Sequence, residues 1–477
     1  MHLRKTKIVA TLGPSSCSEE MIARLIQSGV DVFRLNFSHG SKEFHIQQAE
    51  NIRRISKELN TSVGILCDLQ GPKIRIGRFE HAQITLTKED KFILDAQCEL
   101  GNQQRVGLDY KKLPSEVSSG TVLLLDDGRI VLNVEKVVQN QIHCTVLTGG
   151  VLSNNKGINR QGGGLSAESI TEKDKEDLKT AVAIHADFIA ISFPKSAADI
   201  HYAKDLIKQA GGYAHIVAKI ERAEAVAALE EIVEASDVVM VARGDLGVEM
   251  GDASIPGLQK RIIKTARAKN KVVITATQMM ESMIASPIPT RAEVSDVANA
   301  VLDGTDAVML SAETASGKYP LETIEAVNRV CLEAEHEQEL QHINGFEEKA
   351  FTQIDESIAM AASYIANHLP VKAIASLTQS GITALWLSRA NNHVPIYALS
   401  TESKTRRRLK LYRGVYPISL KNEAHDKNEI LPIAEEAIKK QSHLQNGDLI
   451  LITVGEPIGK AGSTNSLKLI KLNESAK

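Results

Sequence analysis

Residues 237–278 read DVVMVARGDLGVEMGDASIPGLQKRIIKTARAKNKVVITATQ. A Val-rich run of strand length, DVVMVARGD, comes first, and VVITATQ at the end is a second one. The segment between them, IPGLQKRIIKTARAKN, has apolar residues at helical spacing. Because strand–helix–strand units build parallel sheets, this stretch predicts an α/β fold.

Val/Ile-rich runs of the same kind recur on both sides of this unit, and helical patterns separate them. Eight such runs cover residues 7–13, 30–38, 63–70, 186–193, 216–221, 237–245, 272–278 and 306–314. Eight alternating strands and helices predict a (β/α)8 TIM barrel, whose active site lies at the C-terminal ends of the strands. We find no internal repeat in the sequence.

Two further regions follow other patterns. About 115 residues separate the third run from the fourth, and within them residues 72–168 alternate apolar and polar residues around turns, which predicts an inserted antiparallel β domain. Placed beside the catalytic end, it would act as a lid that excludes water. A second α/β series begins after about residue 345. We therefore predict three domains: a barrel (1–71 and 169–345), a β lid (72–168) and a C-terminal α/β domain (346–477).

Composition excludes several classes of protein. Lys plus Arg total 56 and Asp plus Glu total 59, so the net charge of -3 provides no basic field for nucleic acid or a membrane surface. No apolar run reaches the roughly 20 residues that cross a bilayer, and we expect a cytoplasmic protein. The cysteines are odd in number and scattered, which predicts buried, reduced thiols rather than disulfides. They are Cys17, Cys67, Cys98, Cys144 and Cys331.

Polar residues lie at or just past the ends of the predicted barrel strands. They are Thr11, Arg34, Asn36, Asp68, Lys219, Glu221, Asp245, Thr277 and Glu313. One such residue alone would be read as a helix cap or a solvated loop charge. Nine at equivalent positions indicate an active site.

Glu221 and Asp245 follow adjacent strands, and this oxygen-only pair suits Mg2+ or Mn2+. Lys219 lies two residues before Glu221, so strand alternation puts both on one face. Lys219 would be either a Schiff-base amine or a fixed positive charge, and the adjacent acidic residues favour the second. Arg34 and Arg75 add positive charge, which predicts an anionic substrate. Near Asp245, glycines let backbone N–H groups approach a carboxylate.

The P-loop and the protein-kinase signatures are absent from the sequence. The nearest approach to GxxxxGK[ST], at residues 455–460, is one residue short, and HRD and DFG motifs are missing. The residues alone thus predict a Mg2+-dependent barrel enzyme that acts on a small phosphorylated or carboxylated anion. Proton chemistry beside a carbonyl and phosphoryl transfer both remain open.

At these residues the sequence resembles the pyruvate kinase family along almost its whole length. The resemblance rests on KIVATLGPSS (7–16), FRLNFSHG (33–40), DLQGPKIR (68–75), KIERAEAV (219–226), MVARGDLGVE (240–249) and the stretch from ITATQMMES to SGKYP (274–320). It implies the family's barrel, inserted small β-barrel lid and C-terminal domain. The implied reaction transfers the phosphoryl group of phosphoenolpyruvate to ADP, giving pyruvate and ATP. A homotetramer is also implied.

The resemblance further implies a role for each matching residue. Glu221 and Asp245 would hold Mg2+, a second Mg2+ would arrive with the nucleotide, and Lys219 would neutralise the transferring group. Arg34 would contact the phosphate, with Arg75 nearby. The N–H groups of Gly244 and Asp245 would bind the substrate carboxylate together with the Thr277 hydroxyl, and Thr277 would also take part in proton delivery. Ser311 and Glu313 would line the bottom of the substrate pocket. In the lid, Asp127 and Lys156 would approach the nucleotide and phosphate.

The family's monovalent-cation site matches Asn36, Ser38, Asp68 and the carbonyl of Leu69. Potassium-dependent members have Glu in the stretch GPEIR, whereas this chain has Lys73 in GPKIR (71–75). An ammonium group there would take the electrostatic role of K+. We therefore predict activity with little or no potassium.

The C-terminal domain contains a loop, TQSGIT (378–383), that precedes a helix. Its hydroxyls and free N–H groups suit a phosphate, although ordinary helix capping explains them equally well. The resemblance implies an effector site at Thr378, Ser380, Gly381 and Thr383. Because the last loop (455–465) lacks the family's tryptophan for fructose bisphosphate, we predict activation by a sugar monophosphate or AMP. The basic run 406–408 is predicted to be a solvated or subunit-contact face.

Two alternatives were weighed against a glycolytic kinase. A Mg2+-dependent barrel lyase or aldolase would share the carboxylate pair but need neither ADP nor a lid. A catalytically silent binding protein would not need Lys219, Glu221, Asp245 or Thr277.

Overall fold

The computed structural model describes residues 3–341, 351, 353–390, 393–420, 427–457 and 462–472. The chain begins with β1 (Lys7–Thr11), α1 (Glu19–Gln27), β2 (Val32–Asn36), α2 (Lys42–Glu58) and β3 (Gly64–Asp68). The insertion contains β4 (Arg78–Phe79), β5 (Gln83–Leu86), β6 (Lys91–Asp95), β7 (Leu100–Gly101), β8 (Arg105–Gly107), α3 (Leu113–Glu116), β9 (Val122–Leu125), β10 (Ile130–Val138), β11 (Gln141–Thr148), β12 (Gly150–Ser153) and β13 (Ile158–Arg160).

The α/β pattern then resumes. It comprises α4 (Glu172–Ala183), β14 (Phe188–Ile191), α5 (Ala197–Gln209), β15 (His215–Ile220), α6 (Ala223–Ala227), α7 (Leu229–Ala235), β16 (Val238–Ala242), α8 (Arg243–Met250), α9 (Ile255–Ala268), β17 (Val272–Ala276), α10 (Arg291–Leu302), β18 (Ala307–Leu310), α11 (Ala312–Ala315) and α12 (Pro320–Gln341), with 3-10 turns at Asp252–Ser254 and Glu281–Ile284. The last region has α13 (Ile354–His368), β19 (Ala373–Leu377), α14 (Ile382–Arg389), β20 (Ile396–Ser400), α15 (Ser403–Leu409), β21 (Val415–Ser419), α16 (Lys427–Gln441), β22 (Leu449–Gly455) and β23 (Thr464–Lys471).

All eight predicted barrel strands form one closed parallel barrel, in the order β1-β18-β17-β16-β15-β14-β3-β2. Their residues are almost all buried, because one face of each strand fills the barrel and the other packs against the surrounding helices. Burial on both faces explains why the strands are unbroken Val/Ile runs. The predicted barrel is confirmed.

The insertion is all-β apart from one short helix. Its main sheet has the order β13-β9-β10-β11-β6-β8, and the pairs β12-β5 and β4-β7 form two small sheets beside it. The C-terminal region forms a five-stranded sheet, β21-β20-β19-β22-β23, in which only β23 is antiparallel to its neighbour. The predicted three-part architecture is thus present, while the domain boundaries near residues 71, 168 and 345 stay predictions.

An aspartate precedes every second barrel strand, a repeat that our reading of the sequence missed. Each of these carboxylates accepts a hydrogen bond from a backbone N–H of the neighbouring odd strand. The pairs are Asp31 with Ile8 (3.1 Å), Asp187 with Ile65 (2.9 Å), Asp237 with Ile216 (2.8 Å) and Asp306 with Val273 (2.8 Å). We name these four residues the floor aspartates, because they lie at the N-terminal ends of the strands.

The C-terminal domain binds three of the four floor aspartates. The contacts are Lys410 to Asp31 (3.4 Å), Arg407 to Asp187 (2.8 Å) and Arg389 to Asp306 (2.6 and 3.0 Å). The basic run at 406–408 is therefore not a solvated or subunit-contact face throughout, because Arg407 and Arg408 both bind the barrel, Arg408 through the carbonyl of Tyr213.

The cysteines are all free, as predicted, but only Cys67, Cys144 and Cys331 are buried. Cys17 and Cys98 are partly exposed, so the expectation that all five are core residues was wrong: Cys17 lies just before α1, and Cys98 in a turn of the insertion. Within the described part of the chain, no helix is both long enough and apolar enough to cross a bilayer.

Candidate active site

The C-terminal ends of the barrel strands bring Lys219 into contact with two acidic residues. The Lys219 Nζ lies 3.3 Å from Asp68 Oδ1 and 3.1 Å from Glu221 Oε1. It also donates a hydrogen bond to the Ser192 hydroxyl (2.8 Å), which in turn donates to the carbonyl of Leu69 (2.7 Å). The ammonium group is therefore fixed from three adjacent strands.

Arg34 lies on the other side of Asp68. Its Nε donates to Asp68 Oδ2 (2.8 Å), and a terminal nitrogen lies 2.7 Å from the same oxygen. The other terminal nitrogen donates to the Thr11 hydroxyl (3.1 Å), which donates to the carbonyl of Leu310 (2.8 Å). This nearly buried guanidinium is thus held in one orientation before any substrate binds.

Burial and neighbouring charges shift the pKa values of these groups. Burial favours the neutral acid at Asp68, but Lys219 and Arg34 outweigh it and hold the pKa of Asp68 below its usual value. Burial likewise opposes the charge on Lys219, yet Asp68 and Glu221 raise its pKa above the ordinary range. At Glu221 burial dominates and, with the charge of Asp245 adding to it, raises the pKa to about 8 despite Lys219.

The residues fit a divalent cation. Glu221 Oε2 is buried without a hydrogen-bond partner, and Glu221 Oε1 and Asp68 Oδ1 are buried with the Lys219 ammonium as their neighbour. Asp245, on the first turn of α8, is close enough for its charge to act on Glu221. Buried carboxylate oxygens without donors are costly unless a cation neutralises them, and oxygen ligands are those Mg2+ prefers.

Thr277 and Gly244 meet directly. The Gly244 N–H donates to the Thr277 hydroxyl (2.8 Å), which donates to the carbonyl of Ala276 (2.5 Å). Thr277 has φ of +69°, which is strained for a β-branched residue. Residues with such strained backbone angles occur mostly at functional sites. Arg243 stabilises this turn by donating to the carbonyls of Ala276 (3.2 Å) and Thr277 (2.6 Å).

Ser311 and Glu313 are linked to each other and to the Thr277 loop. One Glu313 oxygen accepts the N–H of Ser311 (2.7 Å) and the other that of Met280 (3.2 Å). The buried carboxylate therefore ties the end of β18 to the loop after β17.

The four residues predicted to bind a monovalent cation make different contacts from Lys73. Asn36 Oδ1 accepts the N–H of Ser38 (3.1 Å), while Asp68 and the Leu69 carbonyl have the partners given above. The Lys73 Nζ lies 3.4 Å from Asp245 Oδ1 and 4.0 Å from Asp127 Oδ1. Lys73 thus joins a carboxylate of the barrel to one of the lid.

The other lid candidates make their contacts within the insertion. Arg75 donates to the carbonyl of Asn155 (3.0 Å), and Lys156 pairs with Asp126 (2.7 Å). Among the described residues we find no contact of Arg75 or Lys156 with the Lys219 cluster.

In the C-terminal loop, the hydroxyls mostly bind the loop itself. Thr378 accepts the N–H of Gly381 (2.9 Å), and Ser380 accepts that of Ile382 (3.4 Å). Thr383 is buried and shares a hydrogen bond with Thr464 (2.7 Å). Gly381 has φ of +92°, which favours glycine at this helix start. Capping and phosphate binding both remain compatible with these contacts. In the last loop, residues 458–461 lie outside the described residues.

Comparison with known families decides between the barrel enzymes. Residues 3–324 match the family model "Pyruvate kinase, barrel domain", and residues 356–470 match "Pyruvate kinase, alpha/beta domain". The chain belongs to the pyruvate kinase family. It is accordingly a phosphotransferase, and the predicted family is confirmed.

Relatives match over nearly their full length. The chain is 52% identical over 480 residues to "Pyruvate kinase" of Buchnera aphidicola subsp. Acyrthosiphon pisum, covering 99% of each chain. It is 52% identical over 460 residues to "Pyruvate kinase" of Haemophilus influenzae (95% and 96% covered). Identity to "Pyruvate kinase II" of Salmonella typhimurium is 50% over 478 residues (98% and 99% covered).

Sequence reasoning missed two residues of this pyruvate kinase site, Ser192 and Arg243. Ser192 directly follows β14, the same position that identified the other candidates, and it was passed over because this end of the run, IAISF (189–193), has no charged residue. Arg243 was read as part of a glycine motif, whereas it begins α8 and holds the Thr277 turn.

Proposed function

We propose that the chain transfers the phosphoryl group of phosphoenolpyruvate to ADP, giving ATP and the enolate of pyruvate, which is then protonated. The observation that carries this proposal is the contact of the Lys219 ammonium with Oε1 of Glu221, whose other oxygen, Oε2, is buried without a hydrogen-bond partner. A fixed ammonium group beside a metal-ready carboxylate suits a reaction in which negative charge moves between oxygens.

The state of Lys219 argues against the aldolase alternative. A Schiff base requires a neutral amine, whereas Asp68 and Glu221 raise the pKa of Lys219 and keep it protonated. The charged form stabilises a transferring phosphoryl group.

Glu221 and Asp245 would hold Mg2+ or Mn2+, and a second Mg2+ would enter with the nucleotide. When bound, the cation neutralises charge on the phosphoryl and enolate oxygens. Arg34, pre-oriented by Asp68 and Thr11, would bind the phosphate. Such preorganisation avoids reorganising the donors during the reaction.

The substrate carboxylate would bind at the start of α8, where Gly244 and Asp245 offer N–H groups of the first helical turn. Because the Gly244 N–H donates to Thr277 in this structure, binding there requires the Thr277 hydroxyl to turn toward the substrate. That movement would also free the hydroxyl for the proton path to the enolate. Ser311 and Glu313 would line the bottom of the substrate pocket.

We further propose that Lys73 replaces K+. The ammonium lies beside Asp245 and Asp127 and supplies one positive charge to the site. Activity in buffer free of sodium and potassium, with tetramethylammonium as the counter-ion, tests this role. An absolute K+ requirement would contradict it and would return the role to Asn36, Ser38, Asp68 and Leu69.

Lid closure would bring Arg75, Asp127 and Lys156 to the phosphates. A sugar monophosphate or AMP would activate the enzyme at the loop 378–383. A cytoplasmic homotetramer is part of the same proposal. Light scattering, which measures the molar mass in solution, would test the proposed tetramer.

The experiment that tests the reaction follows pyruvate formation from phosphoenolpyruvate with and without ADP and Mg2+. Lys219→Met should lower turnover about 10³-fold or more, since it removes a charge that acts in the transition state. Lys260→Met is the matched control, because Lys260 is an exposed lysine that pairs with Asp303 on the outside of the barrel. Pyruvate formation that needs no ADP would favour a lyase, and an unaffected Lys219→Met variant would remove the proposed role.

A further inference from the structure

The connection that returns the chain from the lid to the barrel contains three consecutive glycines, all in the left-handed region. Gly162, Gly163 and Gly164 have φ of +80°, +76° and +92°. A side chain at Gly163 would collide with the Glu224 carboxylate, since an added Cβ would lie 2.7 Å from Oε2. Because glycines have the greatest backbone freedom, this connection needs outside contacts to hold one path.

Those contacts come from barrel residues next to the metal-site candidates. The Gly164 N–H donates to the Glu224 carboxylate, and the Gly162 N–H donates to the carbonyl of Glu249 (3.1 Å). Arg222 donates to the carbonyl of Leu165 (3.0 Å) and lies 3.4 Å from Glu224 Oε1. The lid is thus tied to the barrel through backbone atoms of its return connection.

Two of these three barrel residues are deeply buried, and the third, Glu224, has a side chain that is 28% exposed. Arg222 is 4% exposed and Glu249 is 5% exposed, and Oε2 of Glu249 accepts the N–H of Ala223 (3.0 Å). The Arg222 Nε is buried without an acceptor. Arg222 and Glu249 both line a small cavity of about 30 Å3, which Lys73 and Asn159 line from the lid side.

The same residues are adjacent to the proposed metal ligands. Arg222 directly follows Glu221, and Glu249 lies four residues after Asp245, one turn further along α8. The return connection is therefore attached beside the two segments that carry the ligands, although none of its contacts among the described residues involves a ligand side chain.

We infer that Arg222, Glu224 and Glu249 form a lid anchor: they are positioning residues that fix the return connection of the lid and so set the lid over the catalytic end. Loss of the Arg222 guanidinium removes its hydrogen bond to the Leu165 carbonyl and its ion pair with Glu224, and so loosens the connection. The structural part of the inference stands without the proposed function, whereas its effect on turnover rests on that function.

Amide hydrogen exchange of Gly162 and Gly164 tests the anchor directly, because both N–H groups donate to barrel acceptors. In Arg222→Met these two amides should exchange at least about tenfold faster than in the unmodified chain, and Arg222→Lys should restore part of the protection. Glu224→Gln, a milder change, should speed exchange at Gly164. Arg54→Met, which removes an exposed arginine paired with Glu19 and Glu58, is the matched control and should leave both amides unchanged.

Two further readouts separate the anchor from damage to the metal site. Mn2+ affinity of the Arg222→Met variant without nucleotide should stay within about twofold, while kcat/KM for both substrates should fall about tenfold or more. Unchanged exchange at Gly162 and Gly164 in both Arg222→Met and Glu224→Gln would overturn the inference. So would weakened Mn2+ binding with normal exchange, which would make Arg222 a support of the metal site alone. If the chain failed to form pyruvate, the exchange result would still decide the anchor.

Discussion

The substitution Asp306→Asn should uncouple the C-terminal domain from the barrel. Asp306 is fully buried, accepts the N–H of Val273 and binds Arg389 through both carboxylate oxygens. An asparagine has one acceptor oxygen in place of two. Its amide NH2 would face either the Val273 N–H or the Arg389 guanidinium, so two donors would oppose each other.

The magnitude follows from the burial of the pair. The Arg389 side chain is only 7% exposed, and its Nε already has no acceptor. Removing one partner of a buried ion pair costs about 3–5 kcal/mol, because the other charge stays buried. Asp237→Asn is the matched control: this floor aspartate also accepts a strand N–H, but its ion partner Lys204 is 40% exposed at 3.4 Å. Loss of that exposed pair should cost about 1 kcal/mol or less.

The chain carries its own probe for this experiment. Its single tryptophan, Trp386, lies on α14, three residues before Arg389. In urea unfolding at fixed protein concentration, Asp306→Asn should move the fluorescence transition to lower urea and ahead of the circular dichroism transition. Equal shifts for Asp306→Asn and Asp237→Asn, or fluorescence and dichroism that still coincide, would refute the coupling.

Burial lowers the pKa of Lys7 to about 7, so above pH 7 the unfolded chain binds more protons than the folded chain. The free energy of unfolding of the unmodified chain should therefore rise from pH 7 to 9.5 relative to that of Lys7→Met. Urea titrations in which the difference between the two free energies stays constant over this range would contradict the prediction. Iodoacetamide at pH 8 should modify Cys17 well before the three buried thiols Cys67, Cys144 and Cys331, because burial raises the pKa of each buried thiol. Peptide mapping at successive times checks this order. Lys73→Glu should create a K+ requirement, measured as turnover against KCl, since it reverses the charge beside the barrel carboxylate. Ser380→Ala with Thr383→Val should abolish activation by a sugar monophosphate or AMP and spare basal turnover; unchanged activation would remove that site.

The barrel was predictable because its physical requirements are local. A strand buried on both faces must be apolar along its whole length, and each of the eight runs shows this in a few residues. The active end was predictable for the same reason, since parallel strands deliver their final residues to one edge. The sequence pattern predicted that Lys219, Glu221 and Asp68 lie close together, and the structure supplies their distances.

The missed features depend on contacts between distant segments. Asp187 and Arg407 are 220 residues apart, and nothing in either local sequence indicates the pair. The floor aspartates form a repeat only when strands are counted in barrel order, because the insertion separates the second member from the first. The lid contacts of Arg75 and Lys156 depend on the orientation of a separate sheet, which alternation along a strand does not determine.

Strand β1 links the two ends of the molecule. At its start the Lys7 Nζ donates to the carbonyl of Val415 in the C-terminal domain (2.7 Å), and Arg413 donates to the Thr6 hydroxyl (2.6 Å). At its end the Thr11 hydroxyl accepts from Arg34. Four residues of extended chain, about 13 Å, separate these contacts. A ligand of the C-terminal domain can alter the catalytic end only if its affinity changes when the contacts at the floor aspartates change. Because β1 is buried along its whole length, such a change would have to move the strand as a rigid unit and carry Thr11 with it.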